Sequence, residues 1–324
     1  MDNEKHLAKL KQGVRASGMW KEEINPADLG SVNLHGLDLL RDLIQERTGL
    51  FFRDYQGLEV IASKLTPRLE KSGCGSFSEY YRLLSKEGIT AANEWLHVLA
   101  GLSKSISSFW RRRKETQTLV DTVIPQWLLN GGAETLKIWS TGCATGEEPL
   151  TIAMALSESG WFDRIRIQLY GSDASFAAIE KAQRGIYSES RMEVLSPELR
   201  SKYFTPVTQG WQVRPELHEK IQWSVTNLMS GSETAEFATS HIIFCCNVFI
   251  YFSARAICQT LRLFGTRMPA GGYLFTDKGD YFESLMSRIG FFERQKFSDV
   301  SIWMKPVGKS TIVSTTDSAE RHLL

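Results

Sequence analysis

The chain has 324 residues, 42% hydrophobic and 23% charged, with a formal net charge of +1 at pH 7. That is a globular composition, long enough for one large domain and a smaller one, and its charge balance predicts neither a nucleic-acid nor a membrane-surface partner. No apolar run approaches the roughly 20 residues of a spanning helix, and the charged start "MDNEKHLAKLKQG" lacks the apolar centre of a secretory signal, so the expectation is a cytoplasmic protein with no membrane insertion.

Residues 1–33, with "NPADLGS", read as a flexible segment. From His35 the pattern is helical: Leu37, Leu40 and Ile44 share a face that Leu39 and Leu43 widen, and Gly49 is a plausible stop. Further helices are predicted over 55–71, over "SFSEYYRLLSKEG" with Ser76 as cap and Tyr80 and Leu83 inward, and over "TAANEWLHVLAGLS". These make a helical domain at 34–104, followed by a linker and connecting helix at 105–135.

The patterning then changes. "LKIWS" (136–140), "RIQLYGSD" (166–173), the start of "HIIFCCNVFIYFS" (241–253) and "GGYLFTD" (271–277) read as strands. Helical stretches at 148–158, 174–184 and 253–268 separate them, which indicates βαβ units and a parallel sheet covered on both faces. Residues 202–224 break the alternation and read as a small antiparallel insert. The α/β domain is placed at 136–307, with a flexible tail at 308–324. Five cysteines without a CxxC pair suggest buried, reduced thiols and neither a disulfide framework nor a metal site.

In "STGCATGEEPLTIAMAL" (140–156) a strand, a glycine-bearing turn and a helix follow one another at a sheet's carboxyl edge, where ligands bind in such folds. The turn lacks the G-x-G-x-x-G of a dinucleotide site and carries Glu147 and Glu148. Acid beside a pyrophosphate at about 4 Å would cost about 4 kcal/mol, so the turn suits a ligand with a cationic end, such as S-adenosylmethionine. The alternative is that both acids only favour the helix N-terminus. Asp173, ending the next strand in "YGSDAS", could accept the hydroxyls of a ribose or simply cap the following helix.

Together, "WSTGCATGEEPLTIAMAL", "GSDAS…AIEKAQRGIY", "TNLM" and "IIFCCNVFIYFS" resemble the CheR-type chemoreceptor glutamate methyltransferases, from about residue 35 to 305. The resemblance implies an α/β fold with a Rossmann-like class I methyltransferase sheet, a small β insert and an all-α N-terminal domain. It implies S-adenosylmethionine as methyl donor, S-adenosylhomocysteine as product, no metal, and the cytoplasmic signalling domain of a chemoreceptor as protein substrate. A receptor's C-terminal tether could bind the β insert, and Lys64, Arg68 and Lys71 could form a basic docking face.

The site residues follow by resemblance. "SISSFWRR" (105–112) is similar to the family's N-x-T-x-F-F-R-[ED], so Ser105, Ser107 and Arg111 would line the cofactor and acceptor site. Glu147 would hold the methionine ammonium, Asp173 the ribose, and Asn227 and Leu228 the adenine. Cys246, Asn247 and Tyr251 would lie beside the transferred methyl, with Arg111 and Tyr251 as catalytic residues. The chain departs from the family pattern at Cys246, where an arginine is usual, at Ser105, at Arg112, where an acid is usual, and at "DKGDYF". These departures keep two alternatives open: a catalytically weak relative that binds the donor or its product as a sensory or scaffold module, and a methyltransferase with another acceptor. A nicotinamide dehydrogenase is the weakest alternative, because the glycine fingerprint is absent.

Overall fold

The structure is a computed structural model and describes residues 34–103, 106–132, 134–277 and 280–307. Four helices come first: α1 (Leu34–Thr48), α2 (Asp54–Ser72), α3 (Phe77–Leu84) and α4 (Ile89–Leu102). Each has an apolar stripe at helical spacing, and the stripes meet in one core of Leu37, Leu40, Ile44, Ile61, Leu65, Tyr80, Leu84 and Val98. Ser76 caps α3 by accepting the Glu79 N–H, and α2 stops at Gly73 in the left-handed region. One acid is buried among these helices. Glu94 accepts from Arg68 Nε at 2.9 Å and Nη2 at 2.6 Å, and from the Tyr80 hydroxyl at 2.6 Å. Arg68, expected on a basic docking face, is therefore committed inward.

A helical connector follows. α5 (Arg113–Thr118) passes through a π turn (Leu119–Val123) into α6 (Ile124–Leu129). The main sheet is built from β1 (Thr135–Thr141), β2 (Arg166–Asp173), β6 (Ile221–Val225), β7 (Ile242–Cys245), β8 (Tyr273–Thr276), β9 (Glu293–Phe297) and β10 (Val300–Met304). Its order is β6-β2-β1-β7-β8-β10-β9. The first five run parallel, and β10 and β9 close the sheet antiparallel. This is the Rossmann-like methyltransferase sheet that the sequence led us to expect, with two antiparallel strands that patterning did not resolve. Helices α7 (Glu147–Glu158), α8 (Phe176–Arg184), α9 (Ala254–Arg267) and α10 (Asp280–Ile289) cover it. Along β7 successive side chains alternate between two cores, Ile242 and Phe244 on one side and Ile243 and Cys245 on the other, as a strand buried on both faces requires. Among the described residues no helix is long and apolar enough to cross a membrane.

A second sheet of three short strands holds β3 (Ile186–Tyr187), β5 (Gly210–Val213) and β4 (Phe204–Val207), in that order and antiparallel. The insert thus begins before residue 202. Ile221–Val225, read from the sequence as part of it, pairs in parallel with β2. The alternation of buried Ile221 and exposed Gln222 comes from its place at the edge of the main sheet, where one face stays wet.

The strand order reverses at β1, whose neighbours are β2 and β7, so the carboxyl ends of these strands flank the crevice where ligands bind in such sheets.

Candidate active site

The turn after β1 has three left-handed positions in five residues: Gly142 (φ 65°), Ala144 (φ 50°) and Gly146 (φ 94°). At Gly142 a Cβ would lie 2.4 Å from Val248 Cγ2, so glycine is required by space as well as by φ. Ala144 is held in its strained conformation by donating its N–H to Asp173 Oδ2 at 2.9 Å. Asp173 Oδ1 accepts the Ser175 N–H at 2.8 Å. The helix cap of α8 is Ser175, not Asp173. Burial pushes the Asp173 carboxyl above its ordinary value against these two backbone bonds, and each oxygen keeps a lone pair for a further donor.

Two cavities meet at this edge and share Gly142, Asn247 and Tyr251. The larger, a cleft with about 1100 Å³ of empty space that includes open solvent, lies between the helical domain and the sheet. Asp173, Thr226, Asn227 and Leu228 wall it on one side, and Leu50, Phe52, Val60, Leu99 and Leu102 on the other. The domains are joined around it by a bridge between Leu50 and Phe252 and by Asn227 Nδ2 donating to the Arg47 carbonyl at 2.7 Å. The Asn227 amide oxygen accepts the Met229 N–H at 3.0 Å. The smaller cavity, about 590 Å³, is walled by Ser107, Arg111, Arg112, Cys143, Glu148, Cys246, Asn247 and Tyr251 among others.

Ser107, Arg111, Asp173, Asn227, Leu228, Cys246, Asn247 and Tyr251 therefore line the two cavities at this edge. Ser105 lies outside the described residues. Glu147, expected to hold the methionine ammonium, lines neither cavity: it is 1% exposed and accepts from Thr145 Oγ1 at 2.7 Å and from Arg191 Nη1 at 3.0 Å. The acid on the cavity wall is Glu148, which accepts from Ser140 Oγ at 2.7 Å. Successive helical residues point about 100° apart, so only one of the two acids can face in. Burial pushes the Glu148 carboxyl up to about 7, against the pull of Ser140 and Arg112.

Arg112, which departs from the family pattern, organises the far wall. Its Nη2 donates to Asp277 Oδ1 at 3.0 Å and reaches Asn247 Oδ1 at 3.4 Å, while Asp277 Oδ1 also accepts the Asn247 N–H at 2.7 Å. Asn247, at φ 60°, is held left-handed by this pair. Burial raises the Asp277 carboxyl above its ordinary value, against the backbone N–H groups of Asn247 and Phe249 and the pull of Arg112. Burial raises the Cys246 thiol far above its ordinary range, against the pull of Arg112, so it stays neutral. Arg111, by contrast, is exposed and donates to the Ile106 carbonyl at 3.1 Å. Among the described residues no group of three or more His, Cys, Asp or Glu side chains could hold a metal ion.

Two family models match the chain. Residues 35–103 match the family model "CheR methyltransferase, all-alpha domain" and residues 105–297 match "CheR methyltransferase, SAM binding domain". Chemotaxis protein methyltransferase 2 of Vibrio cholerae is 27% identical over 275 residues, covering 83% of this chain and 93% of that protein. The chemotaxis protein methyltransferase of Borreliella burgdorferi is 30% identical, covering 66% and 77%. That of Escherichia coli is 28% identical, covering 77% and 85%.

Proposed function

Because the chain belongs to the CheR methyltransferase family, we propose that it is a cytoplasmic protein-glutamate O-methyltransferase whose acceptors are glutamates in the signalling domain of a chemoreceptor. The observation that carries the reading is Glu148, an acid at the wall of a cavity that also holds Arg111, Asn247 and Tyr251. A half-buried carboxylate there suits a cationic ligand end, and the cleft beyond it offers Asp173 as an acceptor and the apolar Leu228 as a flat contact, the mix of a few polar groups on an apolar lining that a nucleoside takes.

When bound, S-adenosylmethionine supplies a sulfonium-activated methyl to a nucleophilic carboxylate oxygen. Glu148 would accept the donor's ammonium, in place of the Glu147 expected from the sequence, and Asp173 would accept the ribose hydroxyls. Leu228 would cover the adenine from one side and the apolar wall of Leu50, Leu99 and Leu102 from the other. An acceptor glutamate is ionised at neutral pH, so the chain need not supply a general base. Arg111, exposed at the cavity mouth, would orient the incoming carboxylate, and Tyr251, reaching both cavities, would fix the line of transfer. The gain comes from positioning and from excluding water around the nucleophile. The open edge strand β4 of the small sheet would take a receptor's C-terminal tether as an added strand.

The test is transfer of radiolabelled methyl from the donor to membranes carrying a chemoreceptor, with base-labile ester recovery, beside calorimetry with S-adenosylhomocysteine. Ester formation supports the reading. Binding without transfer to any receptor tested would favour the second reading, a ligand-binding relative. The engagement of Arg112 with Asp277 and Asn247, at a position where the family usually has an acid, is the observation that keeps this reading in view.

A further inference from the structure

Two of the segments that wall the smaller cavity are the linker at 106–112 and the glycine turn at 142–148. No strand ladder joins them. Apart from the Trp110 N–H donated to Thr151 Oγ1 in α7 at 3.2 Å, the bonds between them run through the small antiparallel sheet and the short helix after β3. Arg191 lies in the short helix Glu189–Met192 that directly follows β3. Its Nη1 donates to the Ser107 carbonyl in the linker and, at 3.0 Å, to Glu147 Oε1 at the start of α7. Tyr187, on β3, donates its hydroxyl to the Thr145 carbonyl in the turn at 2.8 Å. Its ring meets the edge of Phe109, 1% exposed in the linker, at 5.0 Å, and Phe109 packs on Phe204 of β4 at 5.5 Å. The helix bearing Arg191 is itself tied to the sheet, because Glu189 accepts from Trp211 Nε1 on β5 at 2.5 Å and pairs with Arg200.

We propose that the small sheet is a clamp that sets the distance between the two walls of the transfer cavity, with Arg191 and Tyr187 as its positioning residues. Neither side chain is among the residues walling the cavity. Each acts through a neighbour. Arg191 holds Glu147, and Glu147 fixes the rotation of the first turn of α7, which aims Glu148 at the cavity. The same guanidinium holds the Ser107 carbonyl, four residues before Arg111. Loss of the clamp lets linker and turn drift apart, and a misplacement of about 1 Å costs on the order of 100-fold in rate. The role rests on the methyl-transfer reading for its catalytic consequence, but not for its structural one.

The experiment therefore has two arms. Amide hydrogen exchange on the ligand-free protein compares wild type with Arg191→Met and Tyr187→Phe. The expected result is faster exchange, roughly tenfold for Arg191→Met, confined to 106–112 and 142–148. In the second arm, methyl transfer to chemoreceptor membranes should show kcat lowered roughly 10- to 100-fold for Arg191→Met with the acceptor KM within about threefold, and a partial return in Arg191→Lys. Because Arg191→Met strands the buried Glu147, the double variant Glu147→Gln/Arg191→Met removes both charges. Its melting temperature should recover while its kcat stays low. Recovery of kcat together with stability, or unchanged exchange in both segments, overturns the clamp. Absence of transfer in the wild type overturns the methyltransferase reading and leaves the exchange arm to decide the clamp.

Discussion

The adjacent acids Glu147 and Glu148 should fail in opposite ways when each is changed to glutamine. Glu148 sits on the cavity wall with a carboxyl pushed from 4.5 to about 7. If it accepts the donor's ammonium, Glu148→Gln removes one charge-assisted hydrogen bond, worth roughly 1.5–3 kcal/mol, or about 10- to 150-fold in the dissociation constant of S-adenosylhomocysteine. The ionised fraction of a group with a pKa of about 7 falls from about three quarters at pH 7.5 to about one tenth at pH 6.0, so wild-type affinity should fall roughly eightfold over that interval and the variant should show no such dependence. Stability moves the other way. Below pH 4.5 Glu148 is protonated in both folded and unfolded chains, and above 7 it is ionised in both. Between these values only the folded chain holds the proton, so stability is lost as pH rises through that window, by up to about 3 kcal/mol at roughly 1.4 kcal/mol per unit. Glu148→Gln should therefore bind more weakly yet unfold at higher denaturant near pH 8. Glu147→Gln leaves Arg191 without its buried partner and should destabilise by about 1–3 kcal/mol, less than a fully buried pair because Arg191 is 37% exposed, with a smaller loss of affinity. Titration calorimetry and urea melts at pH 6.0, 7.5 and 8.0 measure both quantities. Undiminished affinity in Glu148→Gln, or a larger binding loss in Glu147→Gln, would refute the assignment.

Other changes separate the remaining parts. Arg111→Ala should lower turnover at least tenfold with cofactor affinity within about twofold, since among the described residues its one hydrogen bond is to the Ile106 carbonyl; unchanged turnover with intact acceptor binding excludes it as the orienting group. Asp173→Ala should weaken S-adenosylhomocysteine at least tenfold and also loosen the glycine turn, because the Ala144 and Ser175 N–H groups lose their acceptor; Asp173→Asn should keep more of the fold than of the affinity, as calorimetry beside thermal melts will show. Glu94→Ala should cost about 3–5 kcal/mol in urea unfolding by stranding Arg68 and the Tyr80 hydroxyl, and a loss under 1 kcal/mol would contradict the buried network.

How much of this was readable beforehand depended on range. The glycine turn was legible because its requirement is local: Gly142 has to adopt a left-handed φ against Val248, and the acids follow at once. Asp173, Asn247 and Tyr251 were legible because each ends or follows an apolar strand whose direction the βαβ alternation sets. The role of Arg112 was not, since its partners Asp277 and Asn247 lie 165 and 135 residues away. Arg68 read as a surface charge for the same reason. Its helix face is polar in pattern, and only packing against α4 shows that Glu94 lies beneath it.

By itself the sequence determined the class of fold, the helical domain ahead of a parallel sheet, and the carboxyl edge as the place of the site, because periodicity and turn chemistry are properties of neighbouring residues. Tertiary structure alone decided which of two adjacent acids faces the cavity, that Ile221–Val225 joins the main sheet and not the insert, and that the insert grips both walls of the site. Helix rotation, strand partnership and buried pairing depend on contacts between segments far apart in the chain, and local patterning carries no record of them.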